Sequence, residues 1–224
     1  VVLAEADRRL VRGDEHAART HLLEAFPTEP ASMTELRRLG RAVFGESPLE
    51  SYRRDGAEVI RAFQASGRTY ENAPQVLVWD YTVTRLLPEG TVLELTHQIY
   101  RVQSEEAVDD LGQFQAPADA LMLTLRTVKA DGTRLEPDAI AGLEHIEMPS
   151  LEVGDYVESE YIRVRPPAEA YDGGAVGDRF YFQSFEIPFD TSQLTLVVPV
   201  DAQVRIDPRG NAPRLDEVRL FIGN

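Results

Sequence analysis

Near residue 75 the hydrophobic pattern of this chain changes its period, and that change limits the folds open to it more than any other feature. Before it, apolar residues recur at helical spacing; after it, they alternate. In the stretch VLVWDYTVTRLLPEGTVLELTHQIYRV, Leu77, Trp79, Tyr81 and Val83 share one face of a strand, and Leu93, Leu95, His97 and Ile99 share a face of the next. Pro88-Glu89-Gly90 joins them as a hairpin. The same alternation recurs near 120–129, 143–148, 156–165, 179–187, 193–200 and 217–222, with a short helix at 105–111. No helical crossover separates these strands, so the pattern predicts an antiparallel sandwich rather than a parallel sheet. On the strand at 156–165 the apolar parity switches between Tyr161 and Ile162, which predicts a bulge or twist near Glu160.

Residues 1–67 read as helices. Two apolar stripes meet at Gly13-Asp14, and Ala18, Leu22 and Ala25 line one face before Pro30, which gives a helical hairpin. A capping box at Ser32 and Glu35 opens a helix carrying Met33, Leu36, Leu39 and Val43. Ser47-Pro48-Leu49-Glu50 opens another, with Leu49, Tyr52, Gly56, Val59, Ile60 and Phe63 on one face and Gly67 at its end. The expected architecture is therefore α+β: an N-terminal α-helical hairpin or bundle over 1–67, then a mainly antiparallel β-sandwich over 75–224.

Charge and composition remove whole classes of function. The net charge is −15, and it is uneven: residues 1–67 hold ten basic and eleven acidic groups, residues 68–224 thirteen and twenty-seven. Such a surface repels phosphate backbones and anionic membrane faces, so no nucleic-acid partner is expected. No run reaches the roughly 18 apolar residues of a membrane span, and the charged start VVLAEADRRL is unlike a signal peptide. With no Cys there is no disulfide, thiolate metal site or Cys nucleophile in these residues.

The remaining candidates for chemistry read as structure. Asp131-Gly132 stands between two alternating segments and is read as a type I′ hairpin turn rather than a working carboxylate. His16 and His21 miss the i, i+4 spacing of a metal pair; His97 on a strand face and His145 beside Glu144 and Glu147 are read as packed or hydrogen-bonded. Glu105-Glu106 and Asp109-Asp110 form a solvated helix face. AYDGGAVGD, with Asp172 and Asp178, lacks the oxygen-ligand spacing of a calcium loop. No G-x-S-x-G elbow or phosphate loop is present. No catalytic, cofactor or metal residue is assigned.

Four stretches together resemble a known bacterial family: the first strand pair, LTLRTVKADGTRLEPDAI, LEVGDYVESEYIRV and RFYFQSFEIPFDTSQLTLVVPV. Over residues 75–208 the elements are Asp131-Gly132-Thr133, Val153-Gly154-Asp155 leading to Glu158 and Tyr161, and Phe182-Gln183 followed by Pro188 and Leu194 through Pro199. Their order and spacing resemble the domain of unknown function 3857, found N-terminal to transglutaminase-like cores. The first hairpin departs from the family's usual Asp-Gly turn. Gly13, Ala18, Leu22, Ala25 and Pro30 resemble part of a tetratricopeptide repeat, an arrangement that the family also shows. The resemblance implies a non-catalytic accessory domain of a larger bacterial protein, in a periplasmic or secreted setting, with the catalytic Cys, His and Asp further downstream and a protein or peptide as a possible further partner. The rival reading is a carbohydrate-binding module with Trp79, or Tyr181 and Phe185, as an aromatic platform.

Overall fold

A computed structural model of the protein describes Arg8, Arg9 and Arg12 and residues 49–87, 90–117, 120–138, 145–165, 176–214 and 216. The helical hairpin, the 32–45 helix and the 217–222 strand expected from sequence lie outside these residues.

The period-2 segments build one six-stranded sheet. Its strands are β1 (Gln75–Leu86), β2 (Val92–Val102), β4 (Ala120–Val128), β5 (Arg134–Leu135), β7 (Tyr156–Arg165) and β8 (Ser192–Val197), in the order β5-β4-β7-β2-β1-β8. Every pairing is antiparallel except β1 with β8, where Asp80 faces Ser192 and the strands run parallel. A small antiparallel ribbon joins β3 (Gln113–Phe114) to β6 (Ile146–Glu147). The coarse α+β class holds among the described residues: a six-stranded sheet packed with the helices α1 (Gly56–Ser66) and α2 (Glu105–Leu111).

The helices cover opposite faces. Ile60 and Phe63 of α1 pack on Val76, Val78, Ile99, Val128 and Tyr156. Ala107 of α2 packs on Val102, Met122, Leu125, Val157 and Ile146 across the other face. Beyond α1 on its own face, Leu49 and Tyr52 close over Tyr81, Val83, Leu95 and Ile162. Each fully buried large side chain here contributes on the order of 2 kcal/mol, so these three clusters hold the layers together.

Local details depart from the sequence reading in three places. The helix expected from Ser47 onward starts instead at Gly56: residues 50–52 make a single tight turn, Arg53 is extended (ψ 148°), and Asp55 caps α1 by accepting from Ala57 N at 3.0 Å. The physical reason is Arg53, whose side chain is drawn to the sheet and cannot stay in a continuous helix. Gly67 in the left-handed region (φ 67°) ends α1 as expected.

The bulge expected near Glu160 sits on the neighbouring strand. β7 pairs with β2 in unbroken register, whereas β4 shifts between Met122 and Thr124, opposite Tyr161 and Glu160, leaving Leu123 as the extra residue. A second shift falls at Val78 on β1, so Leu77, opposite Tyr100, lies on the other face from Trp79, Tyr81 and Val83 instead of sharing theirs as expected. Finally, residues 179–187 do not form the expected strand; they are irregular, with Tyr181 and Phe185 exposed.

The Asp131-Gly132 turn also differs from the two-residue form. Lys129 N donates to Thr133 O and Gly132 N to Lys129 O, while Gly132 alone has positive φ (90°). That is a three-residue turn with a glycine bulge, in which only Gly132 needs the left-handed region. The same bond pair links Leu87, Gly90 and Thr91 between β1 and β2.

Candidate functional site: buried charges beneath helix α1

The α1 face of the sheet carries charge where its parity calls for apolar side chains. On β7, Tyr156, Glu158, Glu160 and Ile162 point to this face, and the two glutamates are 2% and 3% exposed. Opposite them on β2 stand Ile99 and His97, and on β4 Arg126 and Thr124. Buried carboxylates this dry must be paired.

Glu158 is held from two sides. Arg126 forks onto it, Nε to Oε2 at 2.7 Å and Nη2 to Oε1 at 3.0 Å, and His97 Nε2 lies 3.2 Å from Oε1. Because a carboxylate only accepts, Nε2 is the donor there, and Nδ1 of His97 is buried without a hydrogen-bond partner among the described residues. Burial pushes the Glu158 pKa up, but the bonds from His97 and Arg126 and the guanidinium charge outweigh it and hold the group down at about 2.

Glu160 is held by the chain entering α1. Arg53 Nε reaches Oε1 at 3.0 Å and its Nη2 reaches Oε2 at 2.5 Å, with Thr124 Oγ1 donating to Oε2 at 3.4 Å. The hydrogen bond to Glu160 raises the Arg53 pKa above the usual arginine value, against an opposing effect of burial. Gly56, the first residue of α1, lies so close to Glu158 that a Cβ there would collide with its carboxylate. Arg54 adds a cationic contact over the Tyr81 ring at 5.7 Å. The start of the helix is thus pinned by two acids of β7.

A second polar row lies on the opposite face. Asp80 of β1 accepts from Gln98 Nε2 at 2.9 Å, and burial raises its pKa in spite of that bond. Tyr100 is pushed up to about 12, first by burial and then by Asp80 and Tyr161. Further along, Arg163 bonds Glu94 at 2.7 Å and Asp178 at 2.8 Å, and Arg165 reaches Glu94 at 3.2 Å.

A third cluster explains the one lysine. Lys129 Nζ donates to Ser150 O at 2.8 Å, Glu152 Oε2 at 2.6 Å and Asp155 Oδ2 at 2.6 Å. Buried Asp155 also accepts from Ala130 N and Glu152 N, so it ties two turns together.

Among the residues weighed from sequence, Asp131 is exposed and accepts from Thr133 N at 2.8 Å; that backbone bond lowers its pKa. His97 is buried and hydrogen-bonded, as read. His145 is exposed, Asp178 is ion-paired, and Glu105-Glu106 and Asp109-Asp110 lie on the outer side of α2. His16, His21 and Asp172 lie outside the described residues. Trp79 is packed against Tyr81 at 5.4 Å between ring centres rather than displayed. Sequence reasoning missed Arg53, Arg126 and Glu160 as a set; the signal was two glutamates at core parity on β7.

No group of three His, Asp or Glu residues poised for a metal occurs among the described residues, and none of their helices is long and apolar enough to cross a membrane.

No family model and no curated protein matches the chain. A crystal structure of a putative protease from Parabacteroides distasonis is similar over 42% of this chain and 24% of that one, at 12% identity and a TM-score of 0.36. The chain therefore spans about a quarter of that protein's length, and the likeness is too slight to carry an argument.

Proposed function

We propose that the chain is a non-catalytic accessory module of a larger multidomain bacterial protein, of the kind typified by the domain of unknown function 3857. In this reading the six-stranded sheet is one layer of a sandwich, the helical segment extends a tetratricopeptide-like scaffold, and the module positions or recognises substrate for a transglutaminase-like core downstream. One observation carries the non-catalytic part. Glu158 and Asp80 have pKa values driven in opposite directions, the pattern of an acid and base pair, yet they point to opposite faces of the sheet. Gln98, which holds Asp80, is followed by Ile99, which faces Glu158. The charges beneath α1 are taken up in fixing the helix, which favours a positioning role.

The test is kinetic. In the full-length protein, deleting residues 1–224 should leave a turnover number close to the original and raise KM for the protein substrate, while residues 1–224 alone stay inert. Turnover by the isolated chain, or an open reading frame without a Cys, His and Asp core, defeats the proposal.

A glycan-binding reading draws on Phe185, which is fully exposed, and Tyr181 at 64% exposure. Retention on a glycan array that is lost in Phe185→Ala would favour it; Trp79, the best stacking ring, is half-buried against Tyr81.

A further inference from the structure

At one end of the sheet, an open groove of about 520 Å³ runs between the loop after α1 and the start of α2. That size lies within the roughly 300–1,000 Å³ of small-ligand sites. Its wall is fixed rather than loose. Gln103 Nε2 donates to Tyr70 O at 3.0 Å and Ala73 O at 2.8 Å, and Gln103 N donates to Pro74 O at 2.9 Å. Asn72 sits in the left-handed region (φ 67°) at the tip of the loop.

Within this groove stands Arg101, the last core-facing position of β2 on the α1 face. Its guanidinium carbon lies 5.9 Å from the Phe63 ring centre, which holds it in place. Among the described residues its buried Nε has no hydrogen-bond partner, and no acid pairs with it. This contrasts with Arg53, Arg126 and Arg163, each of which forks onto a carboxylate. Arg101 thus lines the groove paired with no carboxylate of the described residues, which leaves its charge open to an anion.

The acids of the groove narrow what that ligand is. Glu71 and Glu106 both line it and are exposed. They oppose a dianion, whereas a singly charged carboxylate matches the planar guanidinium fork and a neighbouring cation matches the two glutamates. We propose that this groove binds the free C-terminal carboxylate of a peptide carrying a basic side chain, with Arg101 taking the carboxylate and Glu71 and Glu106 the cation. The inference rests on the recognition role proposed above and names its ligand class.

Calorimetric and amide-shift titrations of the chain would compare three probes: an acetylated lysine-containing tripeptide with a free carboxylate, the same peptide amidated, and inorganic phosphate. The free acid should bind saturably, moving the amide signals of Asn72, Gln103 and Ser104. The amidated peptide should bind at least about tenfold more weakly, the loss of one charge-assisted bond. Arg101→Lys, which keeps a cation over Phe63 but not the fork, should weaken the free acid by about tenfold, and Glu106→Gln should weaken it by a smaller factor. Equal binding of acid and amide, displacement of the peptide by phosphate, or no binding of the free acid overturns the assignment. The core's KM in the full-length protein is read separately, so failure of the groove and failure of the accessory role are told apart.

Discussion

Replacing Glu158 by Gln removes one charge and little volume, and the structure fixes what that should do. The folded pKa of about 2 stands against an ordinary value of 4.5. At roughly 1.36 kcal/mol per unit, the ionised form gains on the order of 3 kcal/mol from folding. The folded value is depressed, so this stabilisation is fully present above pH 4.5 and is lost as pH falls through about 2. Glu158→Gln should therefore destabilise the protein by about 3 kcal/mol at pH 7, leaving the Arg126 fork with a neutral partner. By pH 3 roughly 2 kcal/mol of the gap should have closed, because the unfolded wild-type chain takes up the proton before the folded one does. Urea denaturation of both proteins by circular dichroism at pH 7, 5, 4 and 3 measures the gap directly, and the shared titration of other acids cancels in the difference. A gap of the same size at pH 3 and pH 7 would refute the reasoning, since it would trace the loss to shape rather than charge.

Other perturbations probe the remaining devices. Gly56→Ala, usually a helix-favouring change, should destabilise by about 2 kcal/mol or more because the new methyl group meets the Glu158 carboxylate; a raised melting temperature would contradict the close approach. Asp155→Ala should cost about 3 kcal/mol and speed hydrogen exchange at the Ala130 and Glu152 amides, which lose their acceptor. Asp131→Asn should leave the urea midpoint unchanged, because an amide oxygen accepts from Thr133 N equally well, whereas Gly132→Ala should cost about 1 kcal/mol at its φ of 90°.

The strands were legible because alternation records burial on one face: β1, β2, β4 and β7 all lie within the stretches it marked, although Leu77 parts from Trp79, Tyr81 and Val83 where β1 shifts at Val78. α2 was legible as a short helix at 105–111, and the end of α1 from Gly67. The start of α1 was not, since Ser47-Pro48 is a good local cap and only a partner 107 positions away, Glu160, draws Arg53 out of the helix. Long-range pairing of this kind leaves no local period. The strand expected at 179–187 failed for a related reason: Phe180, Tyr181, Phe182 and Phe185 favour strands intrinsically, but pairing decides whether a strand forms, and none of these residues joins a ladder here. The candidate site was half visible, with His97 read as packed or hydrogen-bonded but Glu158 and Glu160 unrecognised as its surroundings.

The parallel seam between β1 and β8 governs how this chain is made. Asp80 meets Ser192, 112 positions later, so the outer rim of β1 stays open on the ribosome until β8 has emerged. Closing so large a loop is slow, and during that interval the bare rim of β1 offers itself to the same strand of a second nascent copy. Truncations before residue 192 should accordingly yield intertwined dimers or aggregates rather than a smaller stable monomer.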